Sequence, residues 1–317
     1  MGASCRDHTC LDGQLSLGAG RGHFRAVSKG IAMSALIDLS SQSADLVAAT
    51  ATRVLALRGP ASRPQSAILW SPGLIVTAQD TLEDRTDFEA LLPDGKLVSA
   101  TLVGRDATTD IALLKAETGE GEAWRSAETP RPGALAFLVG RGDHSPLPAM
   151  ALVSEVGPAW RSMRGGDIDA RVALALRHSR RLEGGAAVAA DGGLIGMAVT
   201  GPRGRTLVIP AATIARVVAV LSDKGYIPHG YLGVSLHPTG QGDGAVIVGV
   251  EPEGPAEAAG FLIGDIVTTW NGEPIASVRD VSTRLAQTAI GSTAKIGIQR
   301  GGNALDIDAR IGERPRR

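Results

Sequence analysis

The sequence predicts a mainly β protein of two domains joined by one helix, and three observations carry that reading. From Leu46 onward short β-type runs recur at roughly 8–12-residue intervals with turn residues between them, which is the pattern of an all-β barrel or sandwich and not of alternating βαβ units. The period then changes once, in AATIARVVAVLSDKG, where Ile214, Val217, Val218 and Leu221 stand at helical spacing ahead of Gly225. Beyond YIPHG a second series of short runs begins, and it carries a helix of its own.

The first series contains TRVLALRG, SAILWSPGLIVTA, DFEALLPDGKLVSATLVGRD, DIALLKA, GALAFLVGR and AMALVSEVG, then DARVALALRH, GGAAVAADGGLIGMAVTG and TLVIP. Pro-Asp-Gly and Gly-Gly supply the turns between them. In the second series, YLGVSLHP and GAVIVGVEPEGPAEAAGFLIGDIVTTWNGEPI precede SVRDVSTRLAQT, where Ser277 and Asp280 form a capping box opening a helix with Val281 and Leu285 on one face. AKIGIQRGG and ALDIDARIG close the series. The expected division is an unstructured or non-native tail over 1–40, a β domain over 41–210, a linker helix over 211–228, a second domain over 229–312 and a short tail over 313–317. Met33 would serve equally well as a start.

Composition narrows the function classes. The chain has 317 residues, 44% hydrophobic and 21% charged, with a formal net charge of −1, enough for two or three domains that each bury a core. Nucleic-acid binding calls for a basic face and aromatic stacking platforms, whereas aromatics make up only 3%, so no nucleic-acid partner is expected. Cys5 and Cys10 are the only cysteines, so no disulfide framework holds the core. With His8 they offer three clustered zinc ligands and no fourth, and neither metal nor cofactor is expected. The run IAMSALIDL is interrupted by Asp38 and is too short to span a bilayer, and no small-residue cleavage site follows a clean apolar stretch. On these grounds the expected location is cytoplasmic, with no membrane span.

The carboxy-terminal series resembles a PDZ domain from Gly230 to Gly312. GYLGV resembles the carboxylate-binding loop and first strand, VEPEGPAEAAGFLIGDIVTTWNGEPI the middle, and SVRDVSTRLAQT the helix beside the groove. Backbone N–H groups in a glycine-containing loop suit a terminal carboxylate, and an exposed strand edge takes up an extended peptide. The resemblance implies Tyr231, Leu232, Gly233 and Val234 as loop and edge, with Val281 and Leu285 lining the groove; for those two, ordinary core packing is the competing reading. Partners would be proteins or peptides with free C-termini or extended segments.

The amino-terminal series, ahead of a helix and a PDZ domain, resembles the HtrA/Deg family of trypsin-like serine proteases. GLIVTAQDTL is similar to the segment carrying the catalytic histidine, GRDATTDIALLK to that carrying the aspartate, and RRLEGGAAVAADGGLIGMAV to the nucleophile loop and its strand. The fold implied is a chymotrypsin/trypsin-like double β-barrel, followed by the linker helix and an α+β PDZ domain. Carried over singly, the aspartate position falls on Asp110, the histidine position on Asp80 and the serine position on Glu183. Arg181 and Leu182 replace the usual glycine and asparagine before it, and Arg181 and Glu183 would supply the oxyanion-hole N–H groups.

Serine acyl transfer requires a hydroxyl nucleophile, a base and a carboxylate orienting that base, and only the last is matched. Shifting the register to Ser179 loses the Gly-Gly that follows the nucleophile, and His178 beside it cannot turn back as its base. His144, His178, His229 and His237 read as surface or packing histidines. The leading expectation is therefore a non-proteolytic, peptide-binding scaffold or chaperone-like module. The first alternative is an active serine endopeptidase with an unrecognised nucleophile. A second arises because Asp80, Asp110 and Glu183 would share one cleft: they would share a proton, bind a hard cation, or be neutralised by Arg180 or Arg181, or the Glu183 carboxylate would fold back into the former oxyanion hole. The family resemblance also implies an exported, periplasmic alternative location, and trimers formed through an aromatic-bearing segment before the barrel, where this chain has only Phe24.

Overall fold

The structure, a computed structural model, describes residues 28–59, 63–240 and 244–314. Cys5, His8, Cys10 and Phe24, named above as possible zinc ligands and as the aromatic before the barrel, lie outside the described residues. Part of the expected tail is helical, since α1 runs over Ser28–Ala51. Alanine and leucine supply its helix propensity, while Leu36, Ile37 and Leu39 are exposed, so there is no one-sided apolar stripe by which a sequence reading would find it. Its last turns deliver Leu46, Val47 and Ala51 to the core that continues through the second barrel described below.

Six strands close the first barrel: β1 (Val54–Arg58), β2 (Gln65–Ser71), β3 (Leu74–Ala78), β4 (Asp87–Leu91), β5 (Leu97–Asp106) and β6 (Ile111–Ala116), in the spatial order β1-β2-β3-β6-β5-β4. All neighbours pair antiparallel, and closure leaves no free edge. Leu55, Leu57, Ile75, Phe88 and Leu114 fill its interior.

The second barrel repeats the plan with β7 (Leu135–Arg141), β8 (Pro146–Gly157), β11 (Arg171–Arg177), β12 (Ala186–Ala189), β13 (Leu194–Thr200) and β14 (Arg205–Pro210), ordered β11-β14-β13-β12-β7-β8. Between β8 and β11 a two-stranded hairpin, β9 (Trp160–Arg161) and β10 (Asp167–Ile168), stands out from the barrel. The helix expected after the barrel is α2 (Ala211–Lys224), which buries Ile214, Val217, Val218 and Leu221 and ends on Gly225 in the left-handed conformation, φ 74°. Gly104 on β5 lies so close to the Gly225 carbonyl that a Cβ would collide with it, which lets the end of α2 lie against the first barrel.

The carboxy-terminal domain comprises β15 (Gly230–Tyr231), β16 (Val234–Pro238), β17 (Ala245–Val250), α3 (Pro255–Ala259), β18 (Ile266–Trp270), β19 (Glu273–Pro274), α4 (Val278–Gln287), β20 (Thr293–Arg300), β21 (Asn303–Arg310) and β22 (Gly312–Glu313). Its main sheet runs β16-β17-β18-β20-β21, so β16 is an edge strand, as a strand-adding groove requires. Ser277 caps α4 by accepting from the Asp280 N–H, and Asp280 receives the Ala276 N–H and the Ser277 hydroxyl in return. No helix among the described residues is long and apolar enough to cross a membrane.

Candidate functional site

Each of the three sequence-predicted carboxylates is placed by a different element. Asp80 follows β3, Asp110 precedes β6, and Glu183 leaves a single 3₁₀ turn at Arg180–Leu182. Asp110 is itself left-handed, φ 59°, a backbone that aspartate tolerates better than most residues. That turn directs its Oδ1 to the Asp80 N–H at 2.7 Å, and the Gln79 N–H reaches the Asp110 carbonyl at 3.3 Å.

The Gly-Gly after Glu183 has a steric cause. Gly184 has φ 78°, and a Cβ there would strike the Ser66 carbonyl and come within 2.5 Å of Thr77 Oγ1. At Gly185 a Cβ would lie 2.7 Å from the Val139 carbonyl. The loop is thus pressed into the seam between the barrels, where Ser66 Oγ donates to the Arg181 carbonyl at 2.8 Å and accepts from the Arg141 N–H at 2.9 Å.

Glu183 points inward and is 2% exposed. Its Oε1 accepts the Thr200 N–H at 2.9 Å, and its Oε2 accepts the Thr200 hydroxyl at 2.5 Å. Nε2 of His178 stands 2.6 Å from Oε2, with both side chains buried. The contact is short, but neither nitrogen of that ring makes a hydrogen bond of regular geometry among the described residues. Burial alone would push the Glu183 carboxyl upward; His178 and the two Thr200 donors more than offset it and hold the group below its usual range.

The backbone around Glu183 is equally committed. The Arg181 N–H is held by Ser179 Oγ at 3.4 Å, and the Glu183 N–H turns back to the Arg180 carbonyl at 3.4 Å. The Glu183 side chain therefore goes to Thr200 on β13 and not into the oxyanion hole that the resemblance implies, and the Arg181 and Glu183 N–H groups are taken up within the 3₁₀ turn. Neutralisation by Arg180 or Arg181 is also corrected. Both are exposed, whereas Asp80 forms its ion pair with Arg164 on the hairpin between β9 and β10, and Glu183 meets His178. Among the described residues no group of three His, Cys, Asp or Glu side chains is placed to hold a metal ion.

Asp110 carries the remaining electrostatic cost. Burial pushes its carboxyl up to about 7, helped by the negative charges of Asp80 and Glu183 and opposed by the Asp80 N–H and by Arg164. The same hairpin is anchored to the first barrel by Ser162 Oγ, which donates to the Thr108 carbonyl at 2.5 Å, and reaches α4 through Arg161 Nη1 to the Thr283 carbonyl at 3.0 Å.

In the carboxy-terminal domain the predicted loop residues occupy one turn. Tyr231 ends β15 and its hydroxyl donates to Glu251 at 2.7 Å; Leu232 is buried; Gly233 has φ 79°; Val234 opens β16. The carbonyls of Leu232 and Gly233 are occupied by the Ala256 and Glu251 N–H groups at 2.7 and 2.8 Å. By contrast, the Leu232 and Gly233 N–H groups donate to no backbone carbonyl among the described residues. Val281 is buried in the core of this domain, and Leu285 is half-buried against it.

Two barrels, a linking helix and a PDZ-like unit in this order match known proteins along most of the chain. The trypsin-like peptidase domain family matches residues 65–197, and the PDZ domain family matches residues 230–311. The chain carries an HtrA/DegP-like trypsin-like domain followed by a PDZ domain. It is 27% identical over 273 residues to the "Probable periplasmic serine endoprotease DegP-like" of Rhizobium meliloti, covering 81% of this chain and 54% of that protein. It is 24% identical over 266 residues to "Serine endoprotease DegS" of Escherichia coli K12, covering 77% and 74%. The HtrA-like chain thus spans about half the length of the DegP-like relatives it matches. Among solved structures, the serine endoprotease from Yersinia pestis superposes with a TM-score of 0.68 at 24% identity, covering 85% of this chain and 97% of that one. The HtrA-type protease AlgW with a tripeptide gives 0.64 at 25%, covering 86% and 98%. The expectation of a cytoplasmic location finds no support in these relatives, the first of which is named as periplasmic.

Sequence reasoning missed two partners. His178 read as a surface or packing residue, and Arg164 was not singled out. The only available signal for either was a carboxylate in need of a polar partner.

Proposed function

We propose that this HtrA-like protein is a non-proteolytic, exported scaffold that binds protein C-termini or extended peptides through its PDZ domain. Its trypsin-like barrel is kept as a rigid support. The observation that carries the reading is the inward-turned Glu183, fixed by Thr200 and His178 where the resemblance puts a nucleophilic serine. A buried carboxylate offers no hydroxyl to a carbonyl substrate, and Asp80, tied to Arg164, is a poor proton acceptor beside it. The commitment of the Arg181 and Glu183 N–H groups within the 3₁₀ turn supports it further, because an oxyanion needs donors aimed outward.

For the peptide site, the two Leu232 and Gly233 N–H groups facing no backbone acceptor suit a terminal carboxylate. The edge strand β16 suits main-chain pairing with the residues before it, and Leu285 on α4 offers apolar contact. Export is proposed from the name of the periplasmic relatives.

Incubation of the purified protein with β-casein and a reduced, unfolded substrate tests the reading. No fragments are expected, together with saturable binding of fluorescent peptides that is abolished by amidating their C-termini. Cleavage that persists in repeated preparations and disappears when Asp110 is changed to Ala would instead favour the serine endopeptidase named in its relatives.

A further inference from the structure

The barrels and the PDZ domain enclose a cleft of about 770 Å³ between the β9–β10 hairpin, the residues after α2 and the flank of α4. Its charge is one-sided. Arg161, Arg164, Arg216, Arg279 and Arg314 line it, and no lysine does. The carboxylates in the lining are Asp106 and Asp167, and both are already engaged. Asp106 is buried and accepts from the Thr108 N–H and from the hydroxyls of Thr108 and Thr109. Asp167 is held by Arg161 at 2.9 Å.

The arginines divide into two groups. Arg161, Arg164 and Arg216 each have an acidic partner, in Asp167, Asp80 and Asp169. Arg279, on α4, and Arg314, after β22, are exposed and form no ion pair among the described residues. In a chain with a formal net charge of −1, this leaves a concave surface with cationic charge in excess of its carboxylates. Guanidinium groups present a planar fork of donors that matches phosphate and carboxylate oxygens, and several of them around one concavity favour a multiply charged anion over a single one.

We propose that this cleft binds a small polyanion, bearing phosphate or carboxylate groups, with Arg279 and Arg314 as its principal contacts and the hairpin arginines as its far wall. The cleft adjoins the proposed peptide groove at Leu285, and it lies where a bound anion would contact barrel hairpin and PDZ helix at once.

Isothermal titration calorimetry of the full chain in low-salt buffer, with sodium tripolyphosphate and separately with citrate, tests this. One anion is expected to bind per chain, more weakly as salt is added. Joint substitution Arg279→Gln and Arg314→Gln should weaken it by about tenfold or more, with the melting temperature retained because both residues are exposed. Arg131→Gln, outside the cleft, should leave the affinity unchanged. Tighter binding of tripolyphosphate identifies a phosphate source, and tighter binding of citrate a carboxylate one. The proposal is overturned if neither anion gives heat, if the double variant binds as well as the parent, or if Arg131→Gln weakens binding as much as the double variant.

Discussion

Oε2 of Glu183 lies 2.6 Å from Nε2 of His178, and both side chains are sealed from solvent at the seam between the two barrels. The pair ties the start of the β11–β12 loop to its later part, with Thr200 of β13 satisfying the rest of the carboxylate. A buried polar pair adds little against an apolar alternative, but removing one partner strands the other.

Glu183→Ala should therefore destabilise the protein by about 3 kcal/mol or more, since it leaves two Thr200 donors without an acceptor and His178 without its buried polar neighbour. Glu183→Ser should do nearly the same, although it restores the residue type that the family resemblance expects. Urea unfolding of each, with His178→Ala and the double variant completing a cycle, measures the coupling. A serine variant as stable as the parent would contradict the structural role given to Glu183.

Asp110 should impose an unusual pH dependence. Its folded carboxyl is raised to about 7 from 3.8, so between these values the folded state holds a proton that the unfolded state has released. Its contribution is fully present below about pH 4 and is lost as pH rises through about 7. Asp110→Asn should remove this fall while keeping an acceptor for the Asp80 N–H, and the comparison is unfolding free energy at pH 5 and pH 8. Glu183 works in the opposite direction: its carboxyl is held low, so its contribution is present above the unfolded value of 4.5 and lost as pH falls through its folded value.

Arg164→Ala should change stability by less than about 1 kcal/mol, because the Arg164–Asp80 pair is largely solvated, with side-chain exposures of 55% and 44%. The same substitution removes a positive charge acting on Asp110, so the Asp110 carboxyl should titrate higher still. Carbon-detected NMR titration of side-chain carboxyls reads that shift directly.

Gly233→Ala should impair peptide binding. The position has φ 79°, where a side chain costs about 1 kcal/mol or more, although the space around it is open enough for a methyl group. Backbone strain at the loop, and not a clash, is then the cause, and fluorescence polarisation with C-terminal peptides should show weaker binding while the melting temperature falls only slightly.

The strand runs and the α2 helix were legible because β1 and β6 are short apolar runs buried almost throughout and bounded by turns, while Ile214, Val217, Val218 and Leu221 recur at the helical period. Asp80, Asp110 and Glu183 were reached through short motifs, and the need for glycine after Glu183 is met sterically at Gly184. Their partners were not. Arg164 reaches Asp80 from a hairpin distant in sequence, while the nearer Arg180 and Arg181 face solvent. His178 turns inward just beyond an irregularity between Leu174 and Arg177, with its N–H bound to the Gly204 carbonyl at 2.9 Å, and strand alternation does not extend through such a bulge. The helix α1 was invisible for another reason, its apolar residues being spread over exposed positions.

The proposed function requires that the barrel does not carry out acyl transfer, and intact-mass spectrometry after incubation with a fluorophosphonate measures this most directly. The folded protein should retain its unmodified mass at reagent levels that fully label an active serine protease run alongside. A stoichiometric adduct that maps to a serine between β1 and β14, and is lost on prior unfolding, would contradict it.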